Sequence, residues 1–495
     1  MAKITKLILF CILIISLFSR IYKLTSVPPA LNQDEAVNGY DAYTLGISLK
    51  DHHGNFLPPM LESFGDWASP LITYVTVPFV KIFGLSLFSI RLVVVLLNIA
   101  SVYLLFLLLN HLFKKPDIAL LGTFLFSISP WHITSSRWAI PPNIVVFFLF
   151  LFLYTFFKAL AIDKKKKSLW PFIISGLFAG LLTYSYPTMK LFVPIFVFAL
   201  ALIYLLRKKI IIPFVFLFSF AVLISPIYIL TLTDSKYNAR FNDVSGLGDK
   251  KATVSRYFDY FSPNFQFQKG DPDTMHQVPT IANSYLFLSF FFYLGILICL
   301  LGQFKIIKIK DIEPQTYTFL LAWLFLFPIA ASITKDRNML LRVIHGLPLV
   351  VIFSSLTFAY LWQFFKKQHT FIFITIIALF GLIGFGKYLK FYFTKYPDLV
   401  FKHFQYGTDQ YSKFLLRNED KFDKVIIDKN INQPYIYYLF YSRLKNPALI
   451  SPKYVFGHID SGIIQDLPTI LNVNYKDIPR FRIYVNDSIW YVQQL

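Results

Sequence analysis

The stretch NQDEAVNGYDAY, residues 32–43, places two adjacent carboxylates, Asp34 and Glu35, between two apolar segments. The segment before it, residues 4–24, is long enough to cross a bilayer, since a spanning helix needs about 20 mainly apolar residues. The run after it, residues 70–84, is short and is interrupted by a proline and a lysine, which favours a helix lying in the membrane interface. This order predicts an acidic loop at the surface of a membrane protein.

The composition of the whole chain agrees with a membrane location. Of its 495 residues, 56% are hydrophobic, 19% are aromatic and 15% are charged, whereas soluble domains carry about 25% charged residues. The net charge of +21 comes from short basic clusters between apolar runs, as in loops that set membrane topology. No nucleic-acid partner is therefore predicted. The two cysteines, Cys11 and Cys299, lie in apolar runs and form neither a disulfide framework nor a metal motif.

Eleven apolar segments are predicted to span the membrane, and the first is predicted to be an uncleaved helix. They cover residues 4–24, 88–113, 118–136, 143–162, 170–187, 188–206, 211–231, 282–302, 315–333, 342–362 and 369–390. With the N-terminus inside, every cytoplasmic turn carries at least two basic residues, whereas loop 25–69 has only Lys50. We therefore expect a multi-pass plasma-membrane protein whose C-terminus lies outside the cell.

Two domains are predicted. Residues 1–390 form an all-α polytopic membrane domain with long extracytoplasmic loops at 25–87 and 232–281, and residues 391–495 form a small extracytoplasmic α/β domain. In the tail, KVIID predicts a strand, QPYIYYLFYSRL a helix, and FRIYV-ND-SIWYV a hairpin with an Asn-Asp turn.

The acidic residues of the first loop have two interpretations each. Asp34 and Glu35 either cap the helix that EAVNGYDAYTLGISL predicts, or supply a general base whose basicity is raised by partial burial. Asp66, in SFGDWASPL, either stabilises a turn or faces the same cleft.

Basic residues on the predicted outer side are unusual, because lysine and arginine normally concentrate in cytoplasmic loops. Arg137, in PWHITSSRWAIPPN, either reaches a lipid headgroup or binds a phosphate with its planar fork of donors. A shared anionic ligand would account for the whole set, which also includes Lys190, Lys335, Arg337 and Arg342. Aromatic residues nearby either belong to an interfacial belt or stack on a sugar; they are Trp131, Trp138, Tyr184 and Tyr186. The pair His52-His53 has no second ligand cluster at metal spacing, so no metal site is predicted.

Four stretches together resemble membrane glycosyltransferases of the GT-C type, and most closely glycosyltransferase family 39, the relatives of protein O-mannosyltransferases and of the aminoarabinose transferase. They are NQDEAVNGYDAY with GDWASPLITYVTVPFVKIFGLSLFSIRL, then PWHITSSRWAIPPN, GLLTYSYPTMKLFVP and ASITKDRNMLLRVIHGLP. The chain departs from that family at Asn143, where many members carry a second acid, and at Pro187, where many carry histidine or arginine.

The resemblance implies inverting transfer of a hexose, with mannose the leading choice, from a polyprenyl-phosphate donor to an extracytoplasmic hydroxyl of a glycan, lipid or protein. Asp34 would accept the acceptor proton, and Glu35 would orient the acceptor or tune that base. The leaving lipid phosphate would be bound by Arg137, Lys190 and Arg342, with Lys335 as a further candidate. The acceptor or the sugar would contact Tyr40, Asp66, Asn143, Tyr184 and Tyr186. No cofactor is predicted, and dependence on a divalent metal stays open.

Two other functions remain compatible with the sequence. A transporter or flippase of lipid-linked sugars would carry polar groups in mid-span, yet the spans are nearly free of carboxylates. A non-catalytic membrane scaffold would tolerate the loss of Asp34.

Overall fold

The computed structural model describes residues 3–166, 168–206, 208–279, 281–364, 367–428, 431–445, 450–457, 474–478, 480–486 and 489–494. The chain divides into two compact units. The first, here called the helical unit, comprises Met1–Tyr22, Asp66–Leu71 and Val94–Lys395. The second, here called the mixed unit, comprises Lys23–Gly65, Ile72–Val93 and Tyr396–Leu495.

Helices make up most of the chain as far as residue 395. They are α1 (Lys3–Ile21), α2 (Gln33–Ser48), α3 (Leu71–Phe83), α4 (Leu87–Phe113), α5 (Pro116–Ser127), α6 (Pro130–Ser135), α7 (Val145–Lys166), α8 (Trp170–Thr183), α9 (Met189–Leu205), α10 (Ile211–Thr233), α11 (Ala239–Val244), α12 (Lys250–Asp259), α13 (Leu288–Gln303), α14 (Pro314–Leu326), α15 (Ile329–Ser332), α16 (Leu349–Leu361) and α17 (Lys367–Thr394). Short strands β1 (Leu61–Ser63) and β2 (Asp66–Ala68) precede α3. Single helical turns lie at Pro141–Ile144, Ser235–Asn238, Asn264–Gln268 and Leu340–Val343.

The predicted multi-pass architecture is confirmed, because each of the eleven predicted spans contains an apolar helix. Within the described ranges, six helices are long and apolar enough to cross a membrane: Lys3–Ile21, Leu87–Phe113, Pro141–Asp163, Ile211–Thr233, Pro314–Ser332 and His369–Thr394. The other five predicted spans contain apolar helices of 10–17 residues, and so does the predicted interfacial run, which is α3. The number of spans stays a prediction.

Glycines allow neighbouring helices of the helical unit to approach closely. A Cβ at Gly295 in α13 would lie 2.1 Å from the carbonyl oxygen of Phe353 in α16. A Cβ at Gly176 in α8 would lie 2.5 Å from the carbonyl oxygen of Phe216 in α10. Because these oxygens belong to the backbone, neither pair of helices can accept a larger residue without moving apart. Small residues commonly have this role between helices in membranes.

The predicted α/β domain is present in the mixed unit. Its strands are β3 (Lys424–Asp428), β4 (Tyr454–Gly457), β5 (Asn474–Ile478), β6 (Phe481–Asn486) and β7 (Ile489–Gln494), and its helices are α18 (Tyr396–Val400), α19 (Thr408–Arg417) and α20 (Pro434–Ser442), with a single turn at Glu419–Lys421. The sheet has the order β4-β3-β7-β6-β5, in which β3 is parallel to β4 and β7. The pairs β5–β6 and β6–β7 are antiparallel. Alternating residues of β3, Val425 and Ile427, enter the core together with Ile483 and Trp490.

The tail elements agree with the sequence patterns. KVIID is β3, QPYIYYLFYSRL contains α20, and FRIYV-ND-SIWYV contains the β6–β7 hairpin. Of the predicted Asn-Asp turn, residue 487 lies outside the described residues.

The loop 25–87 is organised differently from the predicted domain division, which placed it with the membrane domain. Most of this loop belongs to the mixed unit. The physical reason is that α2 packs directly on α20. The hydroxyl of Tyr40 donates to the carbonyl of Leu444 at 2.7 Å, and that of Tyr43 donates to the carbonyl of Arg443 at 3.1 Å. A Cβ at Gly39 would lie 2.9 Å from the ring of Phe440, so a larger side chain would separate the two helices.

Candidate active site

The acid pair lies in the first turn of α2, the helix that EAVNGYDAYTLGISL predicts. Asn32 is the N-cap, and its Oδ1 accepts from the backbone N–H of Asp34 at 2.9 Å. In return, Glu35 Oε2 accepts from the backbone N–H of Asn32 at 3.3 Å, which completes a capping box. The carboxylate of Asp34 is half-buried in the same turn, whereas Glu35 is fully buried. The two adjacent acids therefore have different surroundings.

Glu35 forms a buried ion pair with Arg91 of α4. Arg91 Nε donates to Glu35 Oε1 and Arg91 Nη2 donates to Glu35 Oε2, both at 2.8 Å, and neither side chain is accessible to solvent. The remaining Arg91 donors bind the chain ahead of α2, at the carbonyls of Leu24 (3.0 Å), Pro28 (2.8 Å) and Ala30 (2.7 Å). Glu35 and Arg91 together fix the chain ahead of α2 against the helix that carries Asp34; this chain and α2, residues 24–48, are here called the acid loop.

Asp34 also acts electrostatically on the mixed unit's aromatic core. Burial is the main reason that the pKa of Tyr437 on α20 lies well above its ordinary value, and the neighbouring tyrosines and the charges of Asp34 and Glu35 add to this effect. Tyr40 is fully buried beneath the loop, where its hydroxyl bonds to Leu444 as described above. The structure thus brings Asp34, Glu35 and Tyr40 onto one helix against α20.

A second acid on α2, Asp41, pairs with His52. The distance from His52 Nδ1 to Asp41 Oδ1 is 2.6 Å, and the His52 backbone N–H donates to the same oxygen at 2.9 Å. Burial disfavours the charged imidazole, but the hydrogen bond and charge of Asp41, aided by Asp51 and Glu62, raise the pKa of His52. Within the described residues, the buried Nε2 of His52 has no hydrogen-bond partner.

Arg137, a predicted phosphate ligand, is fully buried in the helical unit at the end of α1. Its Nη1 donates to the carbonyls of Ser19 (3.1 Å) and Arg20 (2.5 Å), and its Nη2 donates to that of Tyr22 (2.7 Å). The guanidinium carbon also lies 5.1 Å from the ring centre of Phe393. Any phosphate at Arg137 would have to compete with these carbonyl oxygens.

Arg342, a predicted phosphate ligand, is buried in the helical unit. It lies in the buried turn Leu340–Val343, and its Nη2 bonds the carboxylate of Asp336. Its Nη1 is buried and has no hydrogen-bond partner among the described residues. Burial raises the pKa of Tyr260, and the positive charge of Arg342 opposes that rise, so the two side chains are electrostatically coupled. Tyr186 lies close enough to Tyr260 to add to the rise in its pKa.

The loop 232–281 packs on the turn that carries Arg342. Asp271 Oδ2 accepts from the backbone N–H of Leu340 at 2.6 Å, and it lies 2.9 Å from Nδ1 of His276. Burial disfavours the charged imidazole, but the hydrogen bond and charge of Asp271 raise the pKa of His276. This part of loop 232–281 is therefore attached to the Leu340–Val343 turn.

The other predicted site residues of the helical unit make separate contacts, described one by one below. Half-buried Lys190 and Asp66 interact electrostatically. Lys335 is exposed and donates to the carbonyl of Asp243 at 2.9 Å. Tyr184 donates to the carbonyl of Leu223 at 2.9 Å, and Asn143 donates to that of Trp138 at 2.8 Å. The buried Oδ1 of Asn143 has no hydrogen-bond partner in the described part of the chain.

Sequence reasoning missed Arg91, Asp41 and Tyr260. A signal existed for the first two. Arg91 is a single cation near the start of a long apolar helix, and Asp41 follows Asp34 by seven residues, which places both on one helix face. Tyr260 carries no distinctive local pattern. Within the described ranges, no group of three or more His, Cys, Asp or Glu residues could bind a metal ion.

Comparisons with known proteins agree with the resemblance inferred from the motifs. A family model described as dolichyl-phosphate-mannose-protein mannosyltransferase matches residues 68–229. No curated protein matches the sequence.

Solved structures share the fold at low sequence identity. The oligosaccharyltransferase AglB from Archaeoglobus fulgidus, in complex with an inhibitory peptide and a dolichol-phosphate, is 13% identical with a TM-score of 0.56. That match covers 90% of this chain, which spans 64% of the length of the archaeal enzyme. ArnT from Cupriavidus metallidurans bound to undecaprenyl phosphate is 10% identical with a TM-score of 0.53, covering 99% of this chain and 97% of that one. The chain therefore has the GT-C membrane fold, and the predicted fold class is confirmed.

Proposed function

We propose that this protein is an inverting glycosyltransferase that moves a hexose, with mannose the leading choice, from a polyprenyl-phosphate donor to a hydroxyl acceptor outside the cell. The observation that carries the proposal is the buried Nη1 of Arg342, which has no hydrogen-bond partner among the residues that the structure describes. A buried guanidinium nitrogen without an acceptor is costly, and a phosphate oxygen would satisfy it. The fold supports a lipid phosphate, since AglB and ArnT share it and were solved with dolichol-phosphate and undecaprenyl phosphate.

The proposed reaction needs one base and one anion site. The acceptor oxygen attacks the anomeric carbon while the bond from that carbon to the phosphate oxygen breaks, so the configuration inverts. The proton of the acceptor hydroxyl passes to Asp34, and the electron pair of the broken bond leaves with the polyprenyl phosphate. A phosphate leaving group needs stabilisation of charge more than protonation, and Arg342 would supply it. Lys190 is retained as a second phosphate ligand.

Asp34 is preferred to Glu35 as the base. Both carboxylate oxygens of Glu35 already accept hydrogen bonds from Arg91, and the side chain is fully buried, so an acceptor hydroxyl could reach it only by displacing that pair. Glu35 would position the loop, and half-buried Asp34 would meet the acceptor. Contacts of Tyr40, Asp66, Asn143, Tyr184 and Tyr186 with the acceptor or sugar remain part of the proposal, and Arg137 is retained only as a secondary phosphate ligand.

The test uses protein in nanodiscs with a panel of radiolabelled polyprenyl-phosphate sugars, scoring release of the lipid phosphate and transfer of the label to cell-envelope acceptors. Asp34→Asn is expected to lower turnover by about 10²–10⁴, the usual cost of losing a general base. Its matched control is Asp117→Asn, an exposed acid in the first turn of α5. Arg342→Gln is expected to lose donor binding, whereas Arg337→Gln, at an exposed side chain nearby, is not.

Each alternative outcome has a clear meaning. Turnover that survives Asp34→Asn would move the base to another acid, with Asp66 next. A wild-type protein that cleaves none of the donors would contradict the transferase and favour a flippase or a scaffold.

A further inference from the structure

The mixed unit contains a cavity of about 1040 Å³ that no predicted site residue lines. Its walls come from three parts of the unit: residues of the loop ahead of α2, the turn between α3 and α4, and the C-terminal domain. Ligand pockets commonly measure about 300–1,000 Å³, so this cavity is large enough for more than a single small ring. A site of this size can hold an extended ligand.

The lining combines aromatic faces with hydrogen-bonding groups. Phe401, Tyr406 and Tyr441 supply rings, and Tyr406 is 39% exposed. Gln410 and Lys413 supply an amide and an ammonium group. The C–H faces of pyranose rings pack on aromatic rings, while their hydroxyls bind side-chain amides and charged groups. A few polar groups among apolar walls is the usual composition of a specific small-molecule site.

Charge is nearly balanced at the cavity, which fits a polyhydroxyl chain better than a strongly charged one. The ammonium of Lys413 bonds Asp409 at 3.1 Å and lies 5.3 Å from the ring centre of Tyr441. Arg443, also in the lining, donates to the carbonyl of Leu85 at 3.2 Å. Two of the lining cations are thus already engaged with the protein. The walls are held in place by their own bonds, which reduces the ordering that binding would require.

The cavity adjoins the acid loop. Pro29 and Ala30 line it, and the carbonyl of Ala30 accepts from the same Arg91 that binds Glu35. Asp34 follows four residues after Ala30. An occupant of the cavity therefore lies against the segment that leads into the proposed base.

We propose that this cavity binds the non-reacting sugars of an oligosaccharide acceptor, so that the acceptor hydroxyl belongs to a glycan. This inference rests on the proposed function, since it names the acceptor class of the same reaction. Binding energy from sugars remote from the reacting hydroxyl would position that hydroxyl for attack.

The test compares wild type with Tyr406→Ala and Gln410→Ala, both at exposed wall positions, and with Phe56→Ala, an exposed aromatic of the mixed unit outside the cavity. The probe is a size-fractionated set of oligosaccharides released from the cell envelope of the source organism. Three quantities are measured: equilibrium binding of this set, the KM for it in transfer, and donor cleavage with water as acceptor.

We expect Tyr406→Ala to weaken binding and raise the acceptor KM about three- to tenfold, the range for one lost ring contact. Donor cleavage by water should stay unchanged in both cavity variants, and Phe56→Ala should match wild type throughout. Donor cleavage with transfer only to lipid or protein, or an acceptor KM unaffected by both cavity variants, would overturn the cavity assignment and leave the transferase standing. Saccharide binding without any donor cleavage would instead refute the transferase and, with it, the acceptor role.

Discussion

Replacing Glu35 by alanine is expected to unfold the acid loop, whereas replacing its neighbour Asp34 by asparagine should leave the loop folded and slow the chemistry. In the wild type, the two Glu35 oxygens accept from Arg91 Nε and Nη2, while three backbone carbonyls satisfy the other donors. Glu35→Ala leaves two donors and a whole charge buried without compensation. Breaking a buried ion pair in this way costs about 3–5 kcal/mol.

That cost converts into a large thermal effect. At about 2–4 °C per kcal/mol for a unit of this size, Glu35→Ala should lower the midpoint of unfolding by about 6–20 °C. Asp34→Asn removes the charge of a first-turn carboxylate, whose attraction to the helix N-terminus is about 0.3–1 kcal/mol, so its midpoint should fall by less than about 4 °C. Its turnover should nevertheless fall by about 10²–10⁴.

The assay is thermal unfolding in detergent followed by tryptophan fluorescence, with turnover measured well below each midpoint. The double variant Glu35→Ala/Arg91→Met removes the uncompensated charge together with its partner and should recover part of the lost stability. A Glu35→Ala protein as stable as wild type would refute the structural role of the pair. A double variant whose loss equals the sum of the two single losses would show that the side chains are not coupled.

Three further predictions concern packing, protonation and the anion site. Gly295→Val should prevent α13 from packing on α16 and abolish folded protein, whereas Gly386→Val, where nothing lies within 4 Å, should not; equal yields after detergent extraction would contradict this. Because the pKa of His52 is raised in the folded protein, its pairing with Asp41 stabilises the fold below about pH 6.5, the ordinary pKa of histidine. This stabilisation is lost as the pH rises through the pKa of His52 in the folded state. The difference in unfolding midpoint between wild type and His52→Gln should therefore shrink from pH 6 to pH 9. A constant gap would exclude a charged pair. Arg342→Gln should weaken product inhibition by polyprenyl phosphate about ten- to hundredfold, as expected for lost bonds to a charged group, and unchanged inhibition would remove Arg342 from the site.

Local patterns were sufficient to predict the helices, including the one in the run 70–84, and the tail strands. Long apolar segments specify spans because unpaired backbone groups are too costly in lipid, and the alternation in KVIID specifies a half-buried strand. The helix α2 followed from its own stretch of sequence.

Tertiary pairings were not predictable in the same way. Glu35 and Arg91 are 56 residues apart, and nothing local shows that they meet. The outer-side basic pattern also could not separate Arg137 from Arg342, because carbonyl and phosphate oxygens both accept from a guanidinium. Only the structure shows that Arg137 is occupied by carbonyls and that Arg342 has a buried donor with no acceptor in the described part of the chain.

The bonds between the acid loop and the C-terminal domain also bear on how the protein is made. Asn32, Tyr40 and Tyr43 bond to carbonyls that lie 371, 404 and 400 residues further along the chain. At about 5–20 residues per second, a ribosome needs about 20–80 s to produce the later partners. During that interval the acid loop lacks the surface on which it folds. A chain cut off before Tyr396 should therefore insert its helices yet keep a protease-sensitive acid loop, and under the proposed function it should release no lipid phosphate.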